Sequence, residues 1–109
     1  MTPEITWQAI GEVLFHQSQV APSNVAVTAP DRRPLTYARL AAHVESVVGS
    51  LNSMGLGRNH RVAIVLPNGP EMATAFLSVS SAATCAPLNP TYGRSEFDFY
   101  LSDLDARAL

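Results

Sequence analysis

The fold is decided by the stretch RVAIVLPNGPE, which runs from Arg61 to Glu71. Its first part, Arg61 to Leu66, is apolar on both alternating faces, which is typical of a parallel strand covered by helices. The turn that follows opens a helix, for which Asn68 is the predicted N-cap and Glu71 its capping-box partner. A strand that passes through a short turn into a helix is the building unit of an α/β fold.

The segment before this stretch predicts two helices and a hairpin. Thr6 is the predicted cap of a first helix, with Trp7, Ile10 and Leu14 on one face, that ends before Pro22. Val25 to Ala29 and Leu35-Thr36 are predicted strands joined by a proline-rich turn. Thr36 then caps a second helix, whose apolar stripe consists of Leu40, Val44, Val47, Val48 and Leu51. Gly55 is the predicted left-handed stop after a Met54 C-cap, with Leu56 packing back on Leu51.

The segment after it predicts a helix, a strand and a last helix. Met72, Phe76, Leu77 and Val79 continue the helix, and Cys85 to Leu88 form the strand. Ser95 with Asp98 is the predicted cap of the last helix, whose apolar face holds Phe97, Tyr100, Leu101 and Leu104. Ala106 to Leu109 stop where the next strand is expected, so we expect a central sheet edge to be left unpaired.

These patterns predict one domain of class α/β over residues 1–109. The expected architecture is a three-layer-type, parallel-rich sheet flanked by helices, with right-handed crossovers. The missing strand suggests that this is an incomplete part of a larger N-terminal lobe.

Composition excludes several classes of protein. The chain has 109 residues, of which 47% are hydrophobic and 15% charged, and its net charge of −2 does not fit a disordered chain. Apolar runs are too short for a membrane span. All seven basic residues are arginine, which excludes lysine chemistry, and their scatter gives no reason to expect nucleic-acid binding. Met1 to Ile5 carries no positive side chain, so we expect no signal peptide and a cytoplasmic location.

Residue types that could carry chemistry are present, but their spacing favours structural roles. His16, His43 and His60 lie in different predicted elements, unlike zinc ligands. Ser78, Ser80 and Ser81 fall inside a helix, where hydroxyls bond backbone carbonyls. Cys85 lies in a predicted buried strand, where a thiol is inert.

The glycines match no phosphate-loop pattern at Gly55, Gly57 and Gly69, although Asn68-Gly69 could expose N–H groups to an anion. Glu96, Asp98, Asp103 and Asp105 alternate around the last helix as a solvated face. The predicted set of catalytic, cofactor and metal residues is therefore empty.

Several segments together resemble the N-terminal part of adenylate-forming enzymes, the superfamily of acyl-CoA synthetases, luciferases and peptide-synthetase adenylation domains. Leu35 to Leu40 resembles the first core motif, with Arg39 in place of the usual Glu. Arg61 to Glu71 is similar to the family's strand–turn–helix. Ala82 to Pro90 resembles the second core motif, with Ala83 where Gly is usual. Thr91-Tyr92 and Glu96 to Asp103 fit the continuation found in acyl-CoA synthetases, so the resemblance favours that branch.

The resemblance implies a two-step reaction in a complete enzyme. A carboxylate attacks the α-phosphate of ATP to give an acyl-adenylate, and the thiol of coenzyme A then displaces AMP. ATP, magnesium and coenzyme A are thus implied for the complete enzyme and none for this segment, whose partner would be the remainder of the ligase chain. The resemblance allows the Asn89-Pro90-Thr91 loop to approach coenzyme A, or simply to fix the following helix.

Two other functions stay open at this point. One is a stand-alone nucleotide-binding α/β module, against which the absent glycine fingerprint argues. The other is a truncated, non-enzymatic relative that acts as an interaction module through its exposed sheet edge. Exposed apolar faces would also favour self-association of the chain.

Overall fold

Helices and strands alternate along residues 9–109, the part of the chain that this computed structural model describes. Their bounds are α1 (Ile10–Val20), β1 (Val25–Val27), β2 (Leu35–Thr36), α2 (Tyr37–Ser53), β3 (Arg61–Ile64), α3 (Pro70–Ser80), β4 (Thr84–Pro87), α4 (Arg94–Asp103) and β5 (Ala106–Ala108). The predicted order of elements is confirmed from α1 to α4, and β5 is an additional strand. Strand ends differ from the prediction by one or two residues, because ladder hydrogen bonds rather than side-chain types define them.

The decisive stretch forms the central strand of a parallel sheet. The strand order is β4-β3-β5, and β3 pairs in parallel with both neighbours. Val62, Ala63 and Ile64 expose only 4%, 0% and 9% of their surfaces, so both faces of β3 are covered. The apolar run therefore forms a doubly covered parallel strand, as predicted. A three-stranded parallel sheet flanked by helices confirms the α/β class.

The hairpin β1–β2 is antiparallel, with Val25 opposite Thr36 and Val27 opposite Leu35. Its connecting turn contains Asp31 at φ 58°, a left-handed conformation that Asp tolerates because its short side chain can bond locally. The hairpin ends on Thr36, whose hydroxyl oxygen accepts the Arg39 N–H at 3.3 Å. The predicted cap of α2 is confirmed, and it brings the hairpin directly into the helix.

The end of α2 is a Schellman motif. Met54 is the C-cap, Gly55 has φ 80°, and the N–H of Leu56 donates to the Leu51 carbonyl at 2.9 Å. The N–H of Gly55 donates to the Asn52 carbonyl at 3.0 Å. Leu56 packs against the cluster that contains Leu51, as the sequence predicted.

The core has two parts, both of which contain residues of α2. The sheet cluster joins the end of α2 to β3 and α3, and it consists of Leu51, Val62, Ile64, Val79 and Ala83. The helix cluster lies between α1 and α2 and consists of Leu14, Leu40 and Val44. The predicted stripe of α2 is thus divided, since its first half faces a helix and its second half faces the sheet.

Two predicted helix caps are wrong. The N-cap of α3 is Gly69 rather than Asn68, because Pro70, which lacks an N–H and has a fixed φ, is suited to the first helical position. The N-cap of α4 is Gly93 rather than Ser95, and the Gly93 N–H donates to the Glu96 carboxylate at 3.3 Å. Glu96, and not Asp98, therefore supplies the acidic half of a capping box.

The expected unpaired central edge is also corrected. Ala106–Ala108 form β5, which pairs with β3 in parallel, so the central strand has a neighbour on each side. The turn into β5 is held by Arg61, whose Nε–H donates to the Leu104 carbonyl. Asp105 follows at φ 50° and reverses the chain after α4. The three-residue length of β5 made it hard to recognise from sequence.

Helix α1 begins at Ile10 after an extended Ala9, and it ends before Pro22 as predicted. The predicted cap Thr6 and the helix residue Trp7 lie outside the described residues. Across residues 9–109, no helix combines the length and apolarity needed to cross a membrane.

We predict opposite effects for alanine at two glycines that bound the second half of α2. Gly55→Ala should destabilise the chain by about 1 kcal/mol, because Gly55 is left-handed at φ 80°. Gly49→Ala is the matched control, since Gly49 lies in the exposed middle of the helix with open space around it. It should stabilise by about 0.5–1 kcal/mol. Urea unfolding measures both, and equal signs would contradict the Schellman assignment.

Candidate functional site

The carboxyl edge of the parallel sheet is the place where this fold type positions ligands. Ile64 at the end of β3 lies in register with Pro87 at the end of β4. The Leu88 N–H donates to the Ile64 carbonyl at 2.9 Å and extends the ladder by one step. The loops that follow the two strands, residues 65–69 and 88–93, therefore leave the sheet side by side.

The second of these loops is organised by its own side chains. The Asn89 carboxamide oxygen accepts the Thr91 N–H at 2.9 Å and the Thr91 hydroxyl at 2.8 Å. The Tyr92 N–H donates to the Asn89 carbonyl at 3.1 Å. This is an Asx turn, in which a short side chain replaces a backbone partner. The loop reaches α4 in a defined conformation.

Aromatic rings fix the same loop to α4. The ring of Tyr92 stacks on that of Tyr100 with centroids 5.1 Å apart, and it meets the edge of Phe97 at 5.8 Å. Tyr100, more than desolvation or the nearby Glu96, raises the pKa of the Tyr92 hydroxyl. Because its ring contacts both Tyr100 and Phe97, Tyr92 serves here as a packing group. The geometry agrees with the predicted alternative in which the loop fixes the following helix.

The start of α3 is occupied by a carboxylate of the chain itself. Glu71 lies in the first turn, and its Oε1 is 2.5 Å from Nη1 of Arg32 on the hairpin turn. A hydrogen bond to its own backbone N–H, followed by the contact with Arg32, lowers the pKa of Glu71. The predicted anion-binding position at Asn68-Gly69 thus has an internal anion next to it. Both side chains are more than half exposed, so the pair contributes little to stability.

The other candidate residues lie on separate elements of the fold. His60 accepts the Gly57 N–H on Nδ1 at 3.0 Å, whereas His16 and His43 lie on α1 and α2. Within residues 9–109, no three His, Cys, Asp or Glu side chains come close enough to hold a metal ion. Burial raises the pKa of the Cys85 thiol, against an opposing hydrogen bond with Ser80.

Two of the three serines at the end of α3 bond backward as predicted, whereas Ser80 instead forms a hydrogen bond with the Cys85 thiol. Ser78 and Ser81 donate to the carbonyls of Thr74 and Leu77 at 2.7 Å. The acidic residues in α4 and in the turn after it are exposed. Two of them form long ion pairs with arginines, Asp98 with Arg94 at 4.0 Å and Asp105 with Arg107 at 3.8 Å. The described residues therefore bring no nucleophile and general base together.

An open groove of about 540 Å³ separates α1 from α2. Its walls consist mostly of small and apolar residues, among them Gly11, Leu14, Ala38, Ala41, Ala42 and Val48. Among residues 9–109, Glu45 is the one carboxylate that lines this groove. Such a lining can hold an apolar group, but it offers no pair of groups for acid–base chemistry.

The comparison with protein families identifies the chain. The AMP-binding enzyme family matches residues 14–109. The chain belongs to the AMP-binding enzymes. This confirms the resemblance that rests on the motifs at Leu35–Leu40, Arg61–Glu71 and Ala82–Pro90.

Curated relatives of this AMP-binding segment include two oxalate–CoA ligases. That of Arabidopsis thaliana is 43% identical over 96 residues, which cover 79% of this chain and 19% of the relative. That of Saccharomyces cerevisiae is 36% identical over 103 residues, with 87% and 19% coverage. Nonribosomal peptide synthetases also match, at 31% to 36% identity. The chain thus spans about a fifth of the length of the oxalate–CoA ligases.

Solved structures contain the same fold as part of a larger domain. The inhibitor-bound N-terminal domain of FACL13 from Mycobacterium tuberculosis superimposes with a TM-score of 0.83 at 27% identity. The match covers 94% of this chain and 26% of that domain. The α/β architecture of this AMP-binding segment is therefore that of N-terminal domains of adenylate-forming enzymes.

Sequence reasoning missed two features of the carboxyl edge. The Arg32–Glu71 pair joins positions far apart in the chain, and no local pattern signals it. The stacking of Tyr92 on Tyr100 has a weak signal, because a tyrosine just before a helix with an aromatic stripe is placed to pack on its first turns.

We predict that Glu71 makes a small contribution to stability that is lost in acid. Its pKa in the folded chain lies below the ordinary value of 4.5, so its contribution is present above that value and disappears as pH falls through the folded pKa. Glu71→Gln should therefore lower the melting temperature at pH 7 and have no such effect at pH 2 to 3. Arg32→Gln is the matched variant and should remove part of the same pH dependence. If Glu71→Gln lowers stability equally at both pH values, the charge is not responsible.

Proposed function

We propose that this chain forms the N-terminal part of an ATP-dependent acyl-CoA ligase. The ligase would convert a carboxylate, ATP and coenzyme A into acyl-CoA, AMP and pyrophosphate through an acyl-adenylate. The observation that carries the proposal is the AMP-binding match over residues 14–109, together with 43% identity to an oxalate–CoA ligase. A cytoplasmic location and a role in fatty acid metabolism belong to the same proposal.

The role of the chain in that enzyme is structural support of the reaction site. Adenylation needs cationic groups that stabilise the charge developing on phosphate oxygens, and lysine, magnesium and glycine-rich loops are the usual means. The chain has no lysine, and residues 9–109 hold no cluster of metal ligands. ATP, magnesium and coenzyme A would therefore be held by the remainder of the ligase chain.

The carboxyl edge of the sheet is the surface of this segment that would face the reaction site. Parallel α/β sheets present their ligands to this edge, and the Asn89–Gly93 loop there is fixed by its Asx turn and by Tyr92 stacking. A fixed loop loses little conformational entropy when a ligand or another subdomain contacts it. We include an approach of this loop to the coenzyme A side in the proposal.

The relatives favour a small carboxylic acid as the substrate. The two oxalate–CoA ligases are the relatives that suggest this class. The similarity to peptide synthetases supplies the competing possibility, in which the complete protein activates an amino acid. Residues after Leu109 would select the acid. The segment itself should therefore not discriminate between a small carboxylic acid and an amino acid.

We predict that the 109-residue chain alone forms neither acyl-adenylate nor acyl-CoA. The assay is pyrophosphate release with ATP, magnesium, coenzyme A and a panel that includes oxalate, short fatty acids and amino acids. The full-length Arabidopsis oxalate–CoA ligase is the positive control. Turnover by the chain alone would contradict the scaffold role, and micromolar nucleotide binding by calorimetry would favour the stand-alone nucleotide-binding module.

A second prediction tests whether the segment can replace its counterpart in a ligase. Residues 14–109 are exchanged for the aligned segment of the Arabidopsis oxalate–CoA ligase, and formation of oxalyl-CoA is measured. The chimera should keep ATP- and coenzyme A-dependent activity, because the fold and the motifs agree.

The controls of the chimera separate folding from function. Ile64→Asp in the grafted segment should abolish activity, since it buries a charge in the central strand. Arg94→Asp changes a fully exposed side chain and should leave the activity of the chimera unchanged. A chimera that folds like the parent ligase but forms no oxalyl-CoA would contradict the acyl-CoA ligase assignment.

A further inference from the structure

We propose that Asn68 is a site of self-modification, at which the backbone nitrogen of Gly69 attacks the Asn68 carboxamide and releases ammonia. The product is a cyclic imide, which water opens to aspartate or isoaspartate. The substrate is thus the folded chain itself, and the co-reactant is water. The site lies in the turn between β3 and α3, and the inference does not depend on the proposed ligase function.

The reaction balances without a further reagent. The Gly69 nitrogen loses its proton to solvent and forms a bond to Cγ of Asn68. The bond from Cγ to Nδ2 breaks, and Nδ2 takes up a proton and leaves as ammonia. Water then breaks one of the two bonds of the imide nitrogen. Cleavage at Cγ gives aspartate, whereas cleavage at the main-chain carbonyl carbon gives isoaspartate and lengthens the turn by one carbon.

The first observation is the residue that follows each asparagine. The five asparagines of the chain are followed by Val25, Ser53, His60, Gly69 and Pro90. A Cβ on the attacking residue crowds the closing ring, and glycine has none, so its backbone can approach closely. The nitrogen of Pro90 carries no proton to lose. Asn68 is therefore the asparagine whose neighbour is best suited to attack it.

The second observation is that hydrogen bonds leave this pair unrestrained. The ladder of α3 begins with the Ala73 N–H, which donates to the Gly69 carbonyl at 3.1 Å, so the N-cap Gly69 uses its carbonyl and not its N–H. Within residues 9–109, neither that N–H nor the Asn68 carboxamide has a hydrogen-bond partner. The Asn89 carboxamide is the contrast, because its oxygen is held by the N–H and the hydroxyl of Thr91.

The third observation is the space around Gly69. Its backbone is extended, with φ 161° and ψ −176°, a conformation open to any residue. A Cβ built on Gly69 would meet Oε2 of Glu71 at 3.6 Å, an ordinary contact, and no other described atom beyond the chain neighbours within 4 Å. The fold should therefore tolerate Gly69→Ala, which makes this variant a test of the chemistry rather than of folding. Asn68 and Gly69 are both exposed in the folded chain, so water can reach the imide.

The first test compares the folded chain with the unfolded one. The 109-residue chain is incubated at neutral and mildly alkaline pH, with and without urea, then digested with pepsin in acid and analysed by mass spectrometry. Asn68 should gain the mass that replacement of NH2 by OH adds. Conversion should be faster at the higher pH, because the attacking nitrogen must lose a proton. The folded chain should convert at a rate within several-fold of the rate in urea.

Asn59 is the internal control of this experiment. It is exposed in a turn, but the next residue, His60, carries a Cβ and donates its N–H to the Gly57 carbonyl at 3.0 Å. Asn59 should therefore convert several-fold more slowly than Asn68 in the same folded sample.

The second test uses two variants of the attacking pair. Gly69→Ala should slow the conversion several-fold, because its Cβ hinders ring closure. Asn68→Gln should abolish it on the same timescale, since the longer side chain would have to close a larger ring. Circular dichroism checks that both variants are folded, and electron-transfer fragmentation distinguishes isoaspartate from aspartate at position 68.

The outcomes decide the proposal. Conversion of Asn68 in the folded chain, with isoaspartate among the products and a slower rate in Gly69→Ala, supports it. Conversion in urea alone, no conversion in either state, equal rates at Asn59 and Asn68, or an unchanged rate in Gly69→Ala overturns it. None of these readouts involves ATP or coenzyme A, so failure here is distinguishable from failure of the ligase assignment.

Discussion

The structure depends on the complete enclosure of one short strand, β3. Val62, Ala63 and Ile64 are nearly inaccessible to water, so the backbone groups of β3 need partners within the protein. Neighbours on both edges provide these partners. The helices α2 and α3 cover the strand through Leu51 and Val79, together with Ala83 in the turn after α3. The parallel direction follows, because the intervening helices return the chain to the same end of the sheet each time.

This requirement also explains why side-chain burial differs between the residues around β3 and helix α4. The buried cluster around β3 includes Leu51 near the end of α2 and Val79 near the end of α3. Helix α4 lies outside it, and none of its residues is fully buried. Its positions are held by aromatic stacking with the preceding loop and by the Arg61 contact with Leu104. The segment thus has a buried centre around β3, whereas α4 packs on it with few buried side chains.

The sequence predicted those features that depend on local chemistry. Thr36 and Gly55 bound α2 as expected, because an N-cap hydroxyl and a left-handed glycine act within a few residues. The caps of α3 and α4 were wrong, because several polar residues near each start could serve and the backbone chose the glycine before them. Strand β5 was missed, since three residues with small side chains carry almost no periodicity. The motif resemblance was confirmed over nearly the whole chain, because it rests on the order and spacing of several motifs together.

The candidate site could be predicted only in part. The sequence placed the Asn89–Gly93 loop after a parallel strand, and the structure adds its internal hydrogen bonds and its stacking on Tyr100. The contact between Arg32 and Glu71 depends on how the hairpin lies against α3, which no single segment encodes. Pairwise contacts between distant segments become known only once the fold is known.

The light attachment of α4 and β5 has a consequence for motion. A unit with few buried side chains opens at a lower free energy than the rest of a domain, and it does so without global unfolding. Amide protons of Ala106 to Ala108 should accordingly exchange with deuterium well before those of Val62 to Ile64, although the two strands are hydrogen-bonded neighbours. Opening of the last helix and strand would expose the edge of β3 that pairs with Ala106–Ala108, while the cluster around Leu51 and Val79 stays packed.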